Sequence, residues 1–182
     1  MNSLKAAGVT VAGNRIVPGV LPNTPREDVY RLESYILHFQ PDCIVSIGGG
    51  STIDASKAAN TLAGLGEITP ELEDYFGVGL VTEKIKTSGK SLLPLIAVQT
   101  SASSSAHLTK YSNITDVHTG QKKLIVDEAI VPARSLFDYD VTKTMPPGLT
   151  ADGALDGVAH VLEVLLGAVG KPYYDKMTEV AE

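Results

Sequence analysis

Asp42-Cys43-Ile44-Val45-Ser46-Ile47-Gly48-Gly49-Gly50-Ser51-Thr52-Ile53-Asp54 is the stretch whose reading decides the fold. Cys43 to Ile47 is a short apolar run of the length of a buried strand, and three glycines end it sharply. Ser51 to Leu62 then reads as a helix, with Ala55, Ala58, Ala59 and Leu62 on the face toward the sheet. Glycines between a strand and a helix let the backbone take positive φ and let a phosphate come close, and the helix start offers free N–H groups and a positive dipole end. The pattern is not G-x-G-x-x-G, so it is not the ordinary Rossmann fingerprint. A tight turn followed by a cap is the alternative. Ser51 and Asp54 have capping-box spacing, and both readings can hold together.

Outward from this turn the chain alternates strand and helix. Toward the N-terminus, Ser3–Ala7 ends a helix at Gly8, and Val9–Ala12 with Ile16–Val20 reads as a strand or strand pair. Thr24 is a natural N-cap and Pro25 a natural first residue for a helix to Phe39, whose Val29, Leu32, Ile36 and Phe39 recur at spacings of three and four. Toward the C-terminus, 64–89 is polar and irregular apart from a short helix at Pro70–Tyr75, and Leu92–Val98 is a second buried strand. Tyr111–Thr115 and Lys123–Val126 flank a turn at His118-Thr119-Gly120, and Arg134–Phe137 is a short strand. After Pro146-Pro147, Thr150 caps a helix from Ala151 to Ala168. This is an α/β layout with a mainly parallel sheet, in which ligands belong at the carboxyl ends of the strands.

The bulk numbers bound the function. Of 182 residues, 43% are hydrophobic and 20% charged, enough apolar material for a real core. A net charge of −6 argues against a nucleic-acid partner. No run reaches the roughly 20 apolar residues that span a bilayer. The single cysteine, Cys43, excludes an internal disulfide and reads as a buried structural thiol.

Two further groups carry chemistry. Thr100-Ser101-Ala102-Ser103-Ser104-Ser105-Ala106 follows the second buried strand, where small hydroxyls can donate to ribose and phosphate oxygens; a flexible Ser-rich linker is the alternative. Asp156 and His160 stand at i, i+4 on one helix face, able to share a divalent metal or to form a plain surface pair, with Asp152 one turn earlier. His38, His107 and His118 form no triad with these residues.

In this order, the motifs resemble those of the iron-containing (group III) alcohol dehydrogenases: an Asn-Pro-Thr turn, G-G-G-S-x-x-D, a hydroxyl loop, a lysine-led strand, and D-A-x-x-H-A-x-E after a Pro-Pro segment. Asn23 and Thr24, Gly48–Asp54, Gln99–His107, Lys123, and Asp156–His160 with Glu163 carry the resemblance. It implies a dehydroquinate synthase-like nucleotide-binding domain over 1–148, N-terminally incomplete, and the start of an all-helical metal domain over 149–182. The first strand and most of that metal domain, with its other two histidine ligands, are expected to be missing. By the same resemblance, NAD or NADP binds at Asn23, Gly49, Gly50, Ser51, Asp54, Thr100, Ser101, Ser104, Lys123 and Val141. Asp156 and His160 are two ligands of a divalent iron or zinc. The implied reaction moves a hydride between a small alcohol or aldehyde and the nicotinamide, in a cytoplasmic homo-oligomer with no membrane or nucleic-acid partner. A non-catalytic nucleotide-binding fragment, inactive by itself, is the alternative, as is a relative of the glycerol dehydrogenases or dehydroquinate synthases. Gln99 stands where the family has Pro, Ser103 and Ser105 where it has Gly, and His107 where it has Glu.

Overall fold

A computed structural model describes residues 1–181. In chain order the elements are α1 (Asn2–Ala6), α2 (Arg26–Phe39), β1 (Ile44–Gly48), α3 (Gly50–Leu65), β2 (Gly77–Val78), α4 (Leu80–Ser88), β3 (Leu95–Gln99), β4 (Tyr111–Asp116), β5 (Gln121–Val126), β6 (Arg134–Leu136), α5 (Pro147–Ala168) and α6 (Tyr174–Ala181). The chain forms two compact units. One holds Met1–Thr100 and Ser105–Asp138; the other gathers Ser101–Ser104 with the chain from Tyr139 onward.

The first unit carries all six strands. β1, β3 and β6 form a parallel sheet in the order β1-β3-β6, with Ile44 opposite Leu95 and Ile96 opposite Arg134. A second sheet, in the order β2-β5-β4, pairs β2 parallel to β5 and β4 antiparallel to it. This is the α/β class with a parallel sheet that the sequence implied. No helix among the described residues is long and apolar enough to cross a membrane.

α3 is the central helix. The sequence places one of its faces on a sheet, yet every residue from Ile53 to Leu62 is buried. Ala55, Ala58, Ala59 and Leu62 share a core with Val29 of α2, Ile114 of β4 and Ile125 of β5. Ile53 packs with Ala97 of β3 and with Ala106. The alanines explain this: small side chains let other elements approach the helix from several directions at once.

Several expectations are corrected. No strand forms at Val9–Ala12 or Ile16–Val20. Gly13 turns left-handed (φ 62°) and side chains tie the segment to α2. Arg15 lies over the rings of Tyr35 and Phe39, while Arg31 donates to the carbonyls of Pro18 (3.1 Å) and Gly19 (2.7 Å). Such side-chain ties satisfy the segment without a ladder. The polar stretch 64–89 contains a nine-residue helix, α4, bracketed by left-handed Gly79 and Gly89. Its first turn is held by the buried Asp127 carboxylate, which accepts from Thr82 N–H at 2.8 Å and from the Thr82 hydroxyl. A cap supplied 45 residues away leaves no local signal. Cys43 is exposed, not buried. It precedes an edge strand on which Val45 and Ile47 are 38% and 61% exposed, so β1 is covered on one face only.

In the second unit α5 and α6 pack on each other, and α5 begins at Pro147 rather than Ala151. Proline is pre-set for a first helical turn, and the Thr150 hydroxyl donates back to the Pro146 carbonyl (3.2 Å) instead of capping.

Crowding around α3 sets a test. Ala58→Leu should overpack the junction of α2, α3 and the β4–β5 hairpin and lower stability by about 1–3 kcal/mol. Denaturant unfolding would read this as a reduced midpoint at unchanged slope; an unchanged midpoint would mean that the helix has room.

Candidate nucleotide-binding site

β1 runs into α3 through Gly49 alone. Gly49 is extended (φ −77°, ψ −176°), and no side chain caps the helix. The N–H groups of Thr52 and Ile53 both reach the Gly49 carbonyl (3.1 and 3.2 Å). The amides of Gly50 and Ser51, ahead of them, have no intrahelical acceptor. None of the three glycines takes positive φ, contrary to expectation. At Gly48 the requirement is space: a Cβ there would lie 2.6 Å from Thr52 Cβ.

The capping box does not form, because Gly49 is the N-cap and Ser51 and Asp54 are committed elsewhere. Ser51 Oγ accepts from the Asn23 N–H (3.1 Å), and the Thr24 hydroxyl donates to the Ser51 carbonyl (3.2 Å). Thr24 therefore does not cap α2; Pro25 is that N-cap. Asn23 and Thr24 are both left-handed (φ 67° and 50°), and the Thr24 carbonyl accepts from Thr115 N–H at 2.9 Å. The turn is thus stapled between the start of α3 and the end of β4.

Lys122 joins this cluster. It lies opposite Thr115 on β5, and its ammonium donates to Asn23 Oδ1 (3.1 Å). Lys123, the residue singled out in the sequence, faces the other way, with its ammonium 4.0 Å from Glu73 Oε1 and 5.5 Å from the centre of the Phe76 ring. Alternation along a strand separates the two lysines, and only the pairing register tells which one meets Asn23.

Asp54 points inward at 8% exposure. Its Oδ2 accepts from Asn113 N–H (3.0 Å), and its own carbonyl accepts from the Ser112 hydroxyl (2.8 Å). Lys57, a residue the sequence reading passed over, is 1% exposed. Its ammonium donates to the carbonyls of Thr109 and Tyr111, both at 2.7 Å, and lies 3.8 Å from Asp54 Oδ1. Burial pushes the Asp54 carboxyl up to about 6, against the opposing pull of Asn113 N–H and Lys57. Burial likewise draws Lys57 down to about 8. With two carbonyls as acceptors Lys57 remains an ammonium at neutral pH. Its sequence signal was a lone lysine three residues after an aspartate in an alanine-rich helix.

After β3, Thr100 N–H donates to the Gly48 carbonyl (2.9 Å), which joins the ends of β1 and β3. Ser103 and Ser105, at the positions where the family pattern has glycine, are both left-handed (φ 101° and 47°). Within the second unit, Ser101–Ser104 lies against α5 at the buried Gly153, where a Cβ would stand 3.1 Å from the Ala102 carbonyl. Val141 sits in the 3-10 turn Tyr139–Thr142. Asp156 and His160 do share a face of α5, with Nδ1 3.7 Å from Oδ2, but both are about half exposed. No group of three or more metal-ligating side chains occurs among the described residues. Two exposed donors do not hold a catalytic metal by themselves.

A parallel sheet and a glycine turn that opens an uncapped helix at the strand ends together mark a nucleotide-binding α/β domain. The profile of the iron-containing alcohol dehydrogenases matches residues 1–139, and the chain belongs to that family. It is 31% identical over 175 residues, 96% of its length, to an NADPH-dependent butanol dehydrogenase of Clostridium saccharobutylicum, of which it covers 42%. It is similar to a solved 1,3-propanediol oxidoreductase (TM-score 0.76, 28% identity, 88% of this chain and 39% of that one). It is similar also to a sulfoacetaldehyde reductase of Bifidobacterium kashiwanohense solved with NAD+ (TM-score 0.67, 25% identity, 89% and 42%). The chain spans about two fifths of the length of these relatives.

Two outcomes test the site's framework. A carboxyl whose folded pKa is raised stabilises the fold fully below its unfolded value and loses that contribution as pH rises through the folded value. Wild type should therefore lose roughly 2–3 kcal/mol relative to Asp54→Asn between pH 4 and 7; a pH-independent difference would place Asp54 in a solvated setting. Ser103→Gly should stabilise by about 1 kcal/mol in thermal unfolding, because it releases left-handed strain; at an ordinary loop position the same change destabilises.

Proposed function

We propose that this chain supplies the dinucleotide-binding half of a metal-dependent alcohol dehydrogenase. The observation that carries the reading is the uncapped start of α3, stapled to Asn23 and Thr24 and set at the carboxyl ends of β1 and β3. Free amides at Gly50 and Ser51, with the positive end of the α3 dipole, suit a pyrophosphate. Gly49, Gly50 and Ser51 would hold it. Asn23 would meet the adenosine side, where Lys122 donates to it; the part expected of Lys123, at the nicotinamide ribose, is not taken over by Lys122. Thr100, Ser101, Ser104 and Val141 complete the set the family pattern implies. Asp54 acts through the framework, keeping α3 on β4. When bound, the nicotinamide gives or accepts the hydride. Butanol, 1,3-propanediol and sulfoacetaldehyde in the relatives' names suggest small alcohols or aldehydes as substrates. The relatives' names include both NADPH and NAD+, so both dinucleotides are candidates.

Asp156 and His160 would contribute two ligands to an iron or zinc ion, with the remaining donors coming from outside the described residues. The described residues do not form a complete metal site.

Calorimetric titration with NAD and NADPH tests this. The 182-residue chain should bind at least one of them. Gly49→Val and Gly50→Val should abolish binding while circular dichroism stays unchanged. No binding by the folded wild-type chain would defeat the reading. The chain should also show no alcohol oxidation with ferrous iron or zinc, and substantial turnover would show that two ligands suffice.

A further inference from the structure

Gln99 and His107 lie on either side of the hydroxyl loop, one ending β3 and the other following Ala106. Their side chains meet: His107 Nδ1 is 2.6 Å from Gln99 Oε1. The amide oxygen can only accept, so Nδ1 carries the proton. The backbone N–H of His107 points at the same oxygen from 3.5 Å. A second contact holds the imidazole. It makes a T-shaped contact with the Phe137 ring, 5.0 Å between centroids, and the His107 carbonyl accepts from the Ser135 hydroxyl of β6. Burial, reinforced by the nearby Lys57 ammonium, keeps the imidazole below its ordinary pKa and favours the neutral ring. A neutral imidazole has one N–H, and this contact fixes where it is.

The loop between them needs such a fastening. Ser103 and Ser105 hold left-handed backbone that only glycine adopts without strain. Backbone bonds from Thr100 N–H to Gly48 and from Leu108 N–H to Ser105 (2.8 Å) also tie the loop's ends. Strained loops persist where their surroundings over-determine them, and a side-chain bond across the base of the loop supplies that constraint.

We propose that Gln99 and His107 form a clip that positions the hydroxyl loop for its ligand. The proposal rests on the nucleotide-binding reading only for the identity of that ligand. Both are positioning residues: they act through the loop and touch no reacting atom.

The test uses the full chain with Gln99→Ala, His107→Ala, the double variant, and Gln99→Glu, which retains an acceptor. Nitrogen-resolved NMR of wild type should show His107 protonated on Nδ1. Gln99→Ala should shift it toward the Nε2-protonated form, and Gln99→Glu should not. Amide hydrogen exchange over 100–106 should accelerate about ten-fold in each alanine variant and no further in the double variant, the non-additivity expected of one interaction. NAD affinity should fall about five-fold in parallel. An Nε2-protonated ring in wild type, additive exchange effects, or unchanged exchange in the alanine variants would overturn the clip. Faster exchange with unchanged NAD affinity would overturn its role in positioning. If wild type binds neither NAD nor NADPH, the nucleotide reading fails, while tautomer and exchange still decide whether the clip holds the loop.

Discussion

Asp54 and Lys57 form an ion pair buried inside the helix that carries the glycine turn, and much of the first unit is arranged to keep it satisfied. Taking two charges out of water costs several kcal/mol per ion unless other groups replace the lost hydration. Here the carbonyls of Thr109 and Tyr111 receive the ammonium, and Asn113 N–H receives the carboxylate. All three lie at or just before β4, so the hairpin's first strand is locked to α3 by polar bonds as well as by Ile114 in the core. A hydrophobic contact would tolerate some sliding of the helix. Directional bonds to three backbone groups do not, and the start of α3 is placed accordingly.

That placement gives the site its character. At the turn from β1 the first amides of α3 are left without a side-chain cap, because the serine that could have supplied one accepts from Asn23 instead. Three segments distant in sequence, Asn23–Thr24, Gly49–Ser51 and Lys122, converge through four hydrogen bonds and a short parallel bridge at Pro25 and Thr115. The carboxylate–imidazole pair of α5 is of another kind. Asp156 and His160 follow from helical spacing alone, stand half exposed on α5, and receive no third donor from the described residues.

The sequence was most legible where one local pattern sufficed. The β1–α3 turn, α2, the β4–β5 hairpin and α5 all follow from apolar period, proline and glycine. It misled where a distant partner decided the outcome. Thr24 has the chemistry of a cap but spends its hydroxyl on Ser51, and Asp54 has the spacing of a capping box but turns into the core. Residues 9–20 have the composition of strands but are held by Arg31 of α2 and by the cation–π contact of Arg15. α4 was hidden because its cap is Asp127.

By itself, the order of motifs determined the α/β class, the position of the glycine turn and the family, since these depend on residues adjacent in the chain. Tertiary structure decided which lysine of the pair 122–123 meets Asn23, that Lys57 is a buried framework cation, and that Gln99 and His107 touch. Each of these is a matter of register or of long-range hydrogen bonding. A strand's two faces read alike until its partner is fixed, and a polar side chain's role is set by whichever backbone groups the fold leaves without water.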